Sequence, residues 1–132
     1  MRVTVDTNLL VRIFTADDAA QNEAANRALD DAEAIVLALP MLCELVWVLK
    51  QGYKIGAPQI AEMLLGLIQT RNAVFDRAAV EAGIALLEAG GDFADGVIAH
   101  EGRRLGADVF LSFDRRAVDA LHARGEPSKL LK

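Results

Sequence analysis

The segment Ala34-Ile35-Val36-Leu37-Ala38-Leu39 contains no polar side chain and runs directly into Pro40. Such a run reads as a strand buried on both faces, the habit of parallel sheets covered by helices. Arg2-Val3-Thr4-Val5 is a shorter β-branched run that stops at the turn and cap cluster Asp6-Thr7-Asn8. Asp108-Val109-Phe110-Leu111-Ser112-Phe113 is a third, ending at Asp114. Ala73-Val74-Phe75 and Leu130-Leu131 read as further strands, the latter at an edge. Between these lie helical patterns. Leu9, Leu10, Ile13 and Phe14 recur with helical spacing, and residues 17–32 form an Ala-rich helix. Pro40 and Pro58 suit first turns of helices that reach the Gly52 stop and Ile68. Residues 77–89 end at Gly90-Gly91, Asp92 opens a helix that stops at Gly106, and Asp114 opens the last one, to about Ala123. Strands alternating with helices predict an α/β sandwich around a mainly parallel sheet, and 132 residues suit one domain.

Composition narrows the function. A hydrophobic fraction of 53% excludes a disordered chain, and with aromatics at only 5% the core must be Ala, Leu, Val and Ile. The net charge of −5 argues against a basic nucleic-acid coat or a binder of anionic membranes. The charge is uneven, however. Residues 1–100 hold 7 basic against 14 acidic groups, whereas residues 101–132 hold 7 against 5. Cys43 stands alone and so forms no internal disulfide, which favours a reducing compartment. Asp6, Asn8 and Arg12 interrupt the first apolar run where a secretory signal would be uncharged, and no stretch is long enough to cross a membrane. The expectation is a soluble cytoplasmic protein.

In parallel α/β sheets, ligands bind beyond the carboxyl ends of the strands. Asp6 lies just past the first strand and Asp114 just past the fourth. Glu44 lies in the first turns of the helix after the apolar run, and Asp95 in the first turn of the helix opened at Asp92. A parallel sheet would bring all four to one edge. Carboxylates so gathered repel one another unless cations hold them, and an all-oxygen set suits Mg²⁺ or Mn²⁺ rather than Zn²⁺. Such an ion acidifies a bound water and stabilises charge on a transferring phosphoryl group, so phosphate-ester hydrolysis follows most directly. Each acid also has a structural reading. Asp6 and Asp114 can cap the helices that follow them, and Asp92-x-x-Asp95 resembles a capping box, with Asp92 as the cap. Glu44 sits among Met41, Leu42, Cys43, Leu45, Val46 and Trp47, where burial of an unpaired carboxylate would be costly.

Other chemistries lack support. His100 follows Asp95 by five positions and would point roughly 140° away on a helix at 100° per residue. His122 lies near the end of the last helix, so no Ser–His–Asp triad can be composed. Cys43 reads as a small hydrophobe, and Trp47 and Tyr53 as core and rim rather than a base-stacking stripe. The glycines match neither a G-x-x-x-x-G-K-[ST] loop nor a G-x-G-x-x-G fingerprint.

Val5-Asp6-Thr7-Asn8-Leu9-Leu10-Val11-Arg12, Glu44 within Pro40 to Leu49, Asp92-Phe93-Ala94-Asp95-Gly96-Val97-Ile98-Ala99 and Phe110-Leu111-Ser112-Phe113-Asp114 together, in this order, resemble the PIN-domain family. More narrowly they resemble VapC-type toxins of bacterial toxin–antitoxin pairs. The resemblance implies a three-layer α/β/α fold and a Mg²⁺- or Mn²⁺-dependent endoribonuclease. It carries the metal-binding, catalytic acids over to Asp6, Glu44, Asp95 and Asp114, with Asn8 and Ser112 as supporting polar groups. It further implies a homodimer and a cognate antitoxin whose C-terminal segment blocks the site. The apolar helices at 40–50 and 57–68 are candidate interfaces. Two positions depart from the usual pattern: Ser112, where Thr is frequent, and Gly96, which would weaken its helix by up to about 1 kcal/mol relative to Ala.

On this reading the RNA backbone meets Arg115 and Arg116, with Arg12, Arg103 and Arg104 as further contacts. Two rival readings remain open: a catalytically silent PIN-like binding module, and a phosphotransferase with Asp6 as nucleophile. The latter design usually carries a second Asp where this chain has Asn8.

Overall fold

Parallel strand pairing organises both halves of the chain, which a computed structural model describes over residues 1–132. Two units result, Met1–Asp76 and Arg77–Lys132. In the first, strands β1 (Arg2–Thr4), β2 (Ala34–Val36) and β3 (Ala73–Val74) form a sheet in the order β1-β2-β3. Val3 lies opposite Ile35, and Ile35 opposite Ala73. The central strand is the apolar one, as expected, and Ala34 and Ile35 are buried. It is shorter than the apolar run, because the next helix already begins at Leu39 with Pro40 in its first turn. Proline supplies no N–H for a ladder but fits a helix entrance.

The helices of this unit are α1 (Thr7–Thr15), α2 (Ala19–Asp31), α3 (Leu39–Trp47) and α4 (Ala57–Ile68). Leu10, Leu42, Leu45, Leu49, Ile60 and Leu64 are fully buried, so the core is aliphatic. The helix expected to run to Gly52 is α-helical only to Trp47. A π-helical turn, Val48–Gly52, completes it, closed by the Tyr53 N–H donating to the Val48 carbonyl at 3.3 Å. Trp47 is 64% exposed, which overturns its expected place in the core.

In the second unit, α5 (Arg77–Glu88) and α6 (Phe93–Arg104) precede strand β4 (Phe110–Ser112), helix α7 (Arg115–Ala123) and strand β5 (Ser128–Leu130). Strands β4 and β5 pair in parallel, Leu111 opposite Lys129, and the Leu131 N–H extends the ladder to the Ser112 carbonyl at 2.7 Å. Every strand pairing is therefore parallel, and the α/β class is the one the sequence predicts. Leu86, Ala99, Ala120 and Leu121 form a buried cluster against which Phe110 packs.

Helix α5 closes at Gly90, whose φ of +91° a residue with a side chain would adopt only under strain. The Gly91 N–H then bonds the Leu86 carbonyl at 2.9 Å. The packing of α6 on α5 is a backbone-close approach. A Cβ at Gly96 would lie 2.5 Å from the Ala82 carbonyl oxygen and 2.9 Å from the Gly83 Cα. A Cβ at Gly83 would strike the Phe93 ring at 2.6 Å. The expected cost of Gly96 to its helix is therefore offset by contact that no larger residue allows. Gly96→Ala is expected to destabilise the protein by about 1–3 kcal/mol, the overpacking outweighing the better helix propensity. Urea unfolding monitored by circular dichroism checks this; a more stable variant would contradict the close approach.

Candidate active site

The turn that leaves β4 is held by its own side chains. Ser112 Oγ accepts the Asp114 backbone N–H at 2.9 Å, and Asp114 Oδ1 accepts the N–H groups of Arg116 and Ala117 at 2.9 and 3.4 Å. Asp114 is thus the N-cap of α7, and Ser112 orients the turn that presents it. Capping engages Oδ1, which leaves Oδ2 outside the cap. Asp6 repeats the arrangement after β1 in the first unit, where its Oδ1 accepts the Leu9 N–H at 3.0 Å as the N-cap of α1. Structural and functional readings of both acids are compatible, since one oxygen serves each.

Asp95, in the first turn of α6, is half-buried. Burial pushes its carboxyl above the ordinary aspartate range, and the negative charges of Asp92 and Asp114 add to the effect. The structure therefore brings three acids of the second unit into electrostatic contact. One of them, Asp92, was expected only to cap α6. It does occupy the N-cap position, yet its carboxylate makes no capping hydrogen bond. A capping-box spacing is the same whether or not the side chain turns back to its helix, so sequence alone could not tell the two apart.

Glu44 corrects another expectation. It is exposed on α3 and is spared the burial cost that its apolar neighbours suggested. Met41, Leu42, Leu45 and Val46 face the core, and the helical period puts Glu44 on the other side, with Trp47. Asn8 is exposed in the first turn of α1 and lines a shallow hollow of about 330 Å³ with Asp6, Arg12, Gln21 and the small residues Ala24, Ala25 and Ala28. Cys43 is half-buried, and burial raises its thiol pKa, consistent with an inert side chain.

The arginines divide by their partners. Arg12 Nη1 donates to Asp17 Oδ1 at 2.9 Å and its Nε to Gln21 Oε1 at 2.6 Å. Asp17 also accepts the Thr15 and Tyr53 hydroxyls, each at 3.0 Å. The Tyr53 and Thr15 bonds, with Arg12, hold the Asp17 carboxyl below its usual range. Arg12 thus ties α1 to the start of α2. Arg103 pairs with Glu126 at 3.0 Å and Arg104 with Glu101 at 2.7 Å. Arg116 donates to the Gly90 carbonyl at 3.3 Å. Arg115 is exposed and makes no such bond. His100 lines a separate hollow with Glu81, Arg124 and Glu126, and His122 Nε2 meets the Ser128 carbonyl at 2.8 Å.

Asp95 and Asp114 offer oxygen donors, the chemistry that suits a hard divalent cation, and a cation beside them would relieve the crowding at Asp95. No three His, Cys, Asp or Glu side chains enclose an ion by themselves.

The PIN domain family matches residues 3–122, across both units, and the chain belongs to that family. PIN domains are generally metal-dependent nucleases: hydrolases that bind nucleic acid and hold divalent ions in the active site. No curated protein and no solved structure matches the chain at a significant level. No helix is long and apolar enough to cross a membrane.

The state of Asp95 has a measurable consequence. At neutral pH the folded protein carries this charge in a worse environment than the unfolded chain does, so it costs stability. As pH falls through the raised folded value, the native state takes up the proton first and the cost is relieved. Asp95→Asn is therefore expected to raise the Tm of metal-free protein at pH 7. The gain should vanish toward the acidic end of the carboxylate range, as differential scanning calorimetry across pH would show.

Proposed function

We propose that the protein is a Mg²⁺- or Mn²⁺-dependent endoribonuclease, the toxin of a toxin–antitoxin pair, with Asp6, Glu44, Asp95 and Asp114 as its metal-binding acids. The crowding of Asp95 by Asp92 and Asp114 carries the reading. A carboxylate half-buried between like charges is kept at a cost to the fold, as groups that bind a cation or a reacting substrate commonly are. The family match runs through all four motifs and supports treating residues 1–132 as one PIN-like domain, and the unpaired Cys43 supports a reducing compartment, read as the cytoplasm.

When bound, a divalent ion supplies an acidified water and offsets the charge that grows on the phosphoryl group. The side chains of the chain itself do the rest. Asp114 and Asp6 are locked in place by the caps they form, so their outward oxygens lose little freedom on taking a ligand. Ser112 fixes the turn beneath Asp114, and Asn8 offers an amide beside Asp6. Arg115 meets a phosphate of the substrate. Arg116 holds the Gly90 carbonyl at the α5–α6 turn, one residue pair before Asp92, and so steadies the acidic cluster.

A groove of about 520 Å³ in the first unit, part apolar and part polar, supports the antitoxin partner. Leu10, Ile13, Phe14, Leu29, Met63 and Leu67 line it, with Asp30, Glu62 and Arg71 among the polar groups around it. Its chemistry suits the apolar face of an amphipathic segment. Trp47 on α3 and Leu65 on α4, both exposed, support a homodimer through these helices. Trp47→Ala is expected to shift the protein toward monomer in sedimentation velocity runs, and an unchanged dimer would place the interface elsewhere.

The direct test is cleavage of mixed cellular RNA by antitoxin-free protein. Mn²⁺ should support cleavage, chelation should abolish it, and Asp95→Asn or Asp6→Asn should lower it at least about 100-fold with the fold intact. Activity that survives exhaustive chelation would refute the metal mechanism, and no cleavage by well-folded protein would favour a silent binding module.

A further inference from the structure

We propose that Phe113 is a stacking platform for one nucleobase of a single-stranded RNA substrate; this rests on the ribonuclease reading above. Phe113 is 76% exposed, the most exposed of the aromatic residues, in a chain that buries Phe93 completely. Its position is not that of a loose loop. The Leu131 N–H bonds the Ser112 carbonyl at 2.7 Å on one side, and Ser112 Oγ, accepting the Asp114 N–H at 2.9 Å, spans the residue itself. On the other side Asp114 caps α7. The backbone carrying the ring is therefore fixed before any ligand arrives, and a phenyl side chain has only two torsions left to order.

What flanks the ring points to its occupant. Asp114, which is in electrostatic contact with Asp95, follows at once. Arg115 comes next and is the one arginine of the proposed substrate contacts without a hydrogen bond or ion pair inside the protein. Three consecutive residues thus offer a π face, a carboxylate of the acidic cluster and an uncommitted cation. A nucleotide presents the matching groups in close succession: a base, and a phosphodiester with negative charge. Leu111, two residues earlier and also exposed, is apolar but has no π face. Stacking needs a base freed from its neighbours, so the site selects single strands over duplex. Base–aromatic stacking tolerates any base but favours those that stack best, which makes Phe113 a determinant of substrate preference rather than of the chemistry.

The test uses Asp95→Asn protein to block cleavage and measures binding of a fluorescein-labelled single-stranded RNA of mixed sequence by anisotropy. Phe113→Ala is expected to weaken binding about tenfold, Phe113→Leu by nearly as much, and Phe113→Trp to retain or improve it. In a set of RNAs with one abasic position each, one position should cost the parent protein the same factor and cost Phe113→Ala nothing further. That coupling between a ring and a base is the signature of stacking. If the parent binds and Phe113→Ala binds equally well, the platform is refuted while the ribonuclease reading stands. If Phe113→Leu behaves like the parent, the contact is apolar and not stacking, and if the substitutions act by changing the oligomeric state, the face docks protein; either result overturns the proposal. Failure of the Asp95→Asn parent to bind RNA, together with failure of the unsubstituted protein to cleave it, would refute both readings together.

Discussion

The approach of α6 to α5 at Gly96 is the contact on which the acidic cluster depends. The Cα of Gly96 sits so near the Ala82 carbonyl and Gly83 that a single added methyl would overlap them. One residue earlier in the same turn stands Asp95. The close approach of the two helices therefore falls in the turn of α6 that carries this half-buried carboxylate. The second constraint is the rigid turn after β4, where Ser112 and Asp114 satisfy the first N–H groups of α7 and their own backbone. Between them, these two devices place like charges together without leaving a buried polar side-chain atom unpaired.

Economy of this kind carries a cost that the rest of the unit offsets. Asp95, half-buried and facing the charges of Asp92 and Asp114, lowers stability at neutral pH, while the aliphatic cluster of Leu86, Ala99, Ala120 and Leu121 supplies burial. A cation would turn the unfavourable charge into binding energy, which is how a site can be both a weakness of the fold and the seat of its chemistry. The net charge of −5, which at first counts against a nucleic-acid partner, acquires a different meaning once several of its acids are read as cation ligands. Three of the seven basic residues after residue 100 are engaged in holding the structure. Arg103 and Arg104 pair with glutamates and Arg116 with a carbonyl, whereas Arg115, directly after Asp114, makes no such bond.

The order of strands and helices is legible from residues 1 to 132 because its signals are local. Asp6, Asp18 and Asp114 cap helices through bonds that span two or three residues, and prolines at 40 and 58 open helices by their own ring geometry. Strand ends are less legible, since a ladder stops where its partner stops: Ala34–Val36 pairs, while the equally apolar Leu37-Ala38-Leu39 leads into a helix. The positions of Asp6, Asp95 and Asp114 at strand and helix ends were readable for the same local reason, and the PIN resemblance was readable because four short motifs keep their order.

By itself, then, the sequence determined the α/β alternation, the parallel habit of the strands, the family, and which acids stand at element ends. Those properties follow from periodicity and from bonds between near neighbours. Only the tertiary structure decided that Glu44 and Trp47 face solvent, that Asp92 crowds Asp95 instead of capping its helix, and that Gly96 is required by a backbone contact rather than tolerated in a helix. It also decided that Arg12 is spent on Asp17 and Gln21 while Phe113 stands bare. Burial and electrostatic contact between residues distant in the chain are set by how elements pack, and no spacing within one element encodes that.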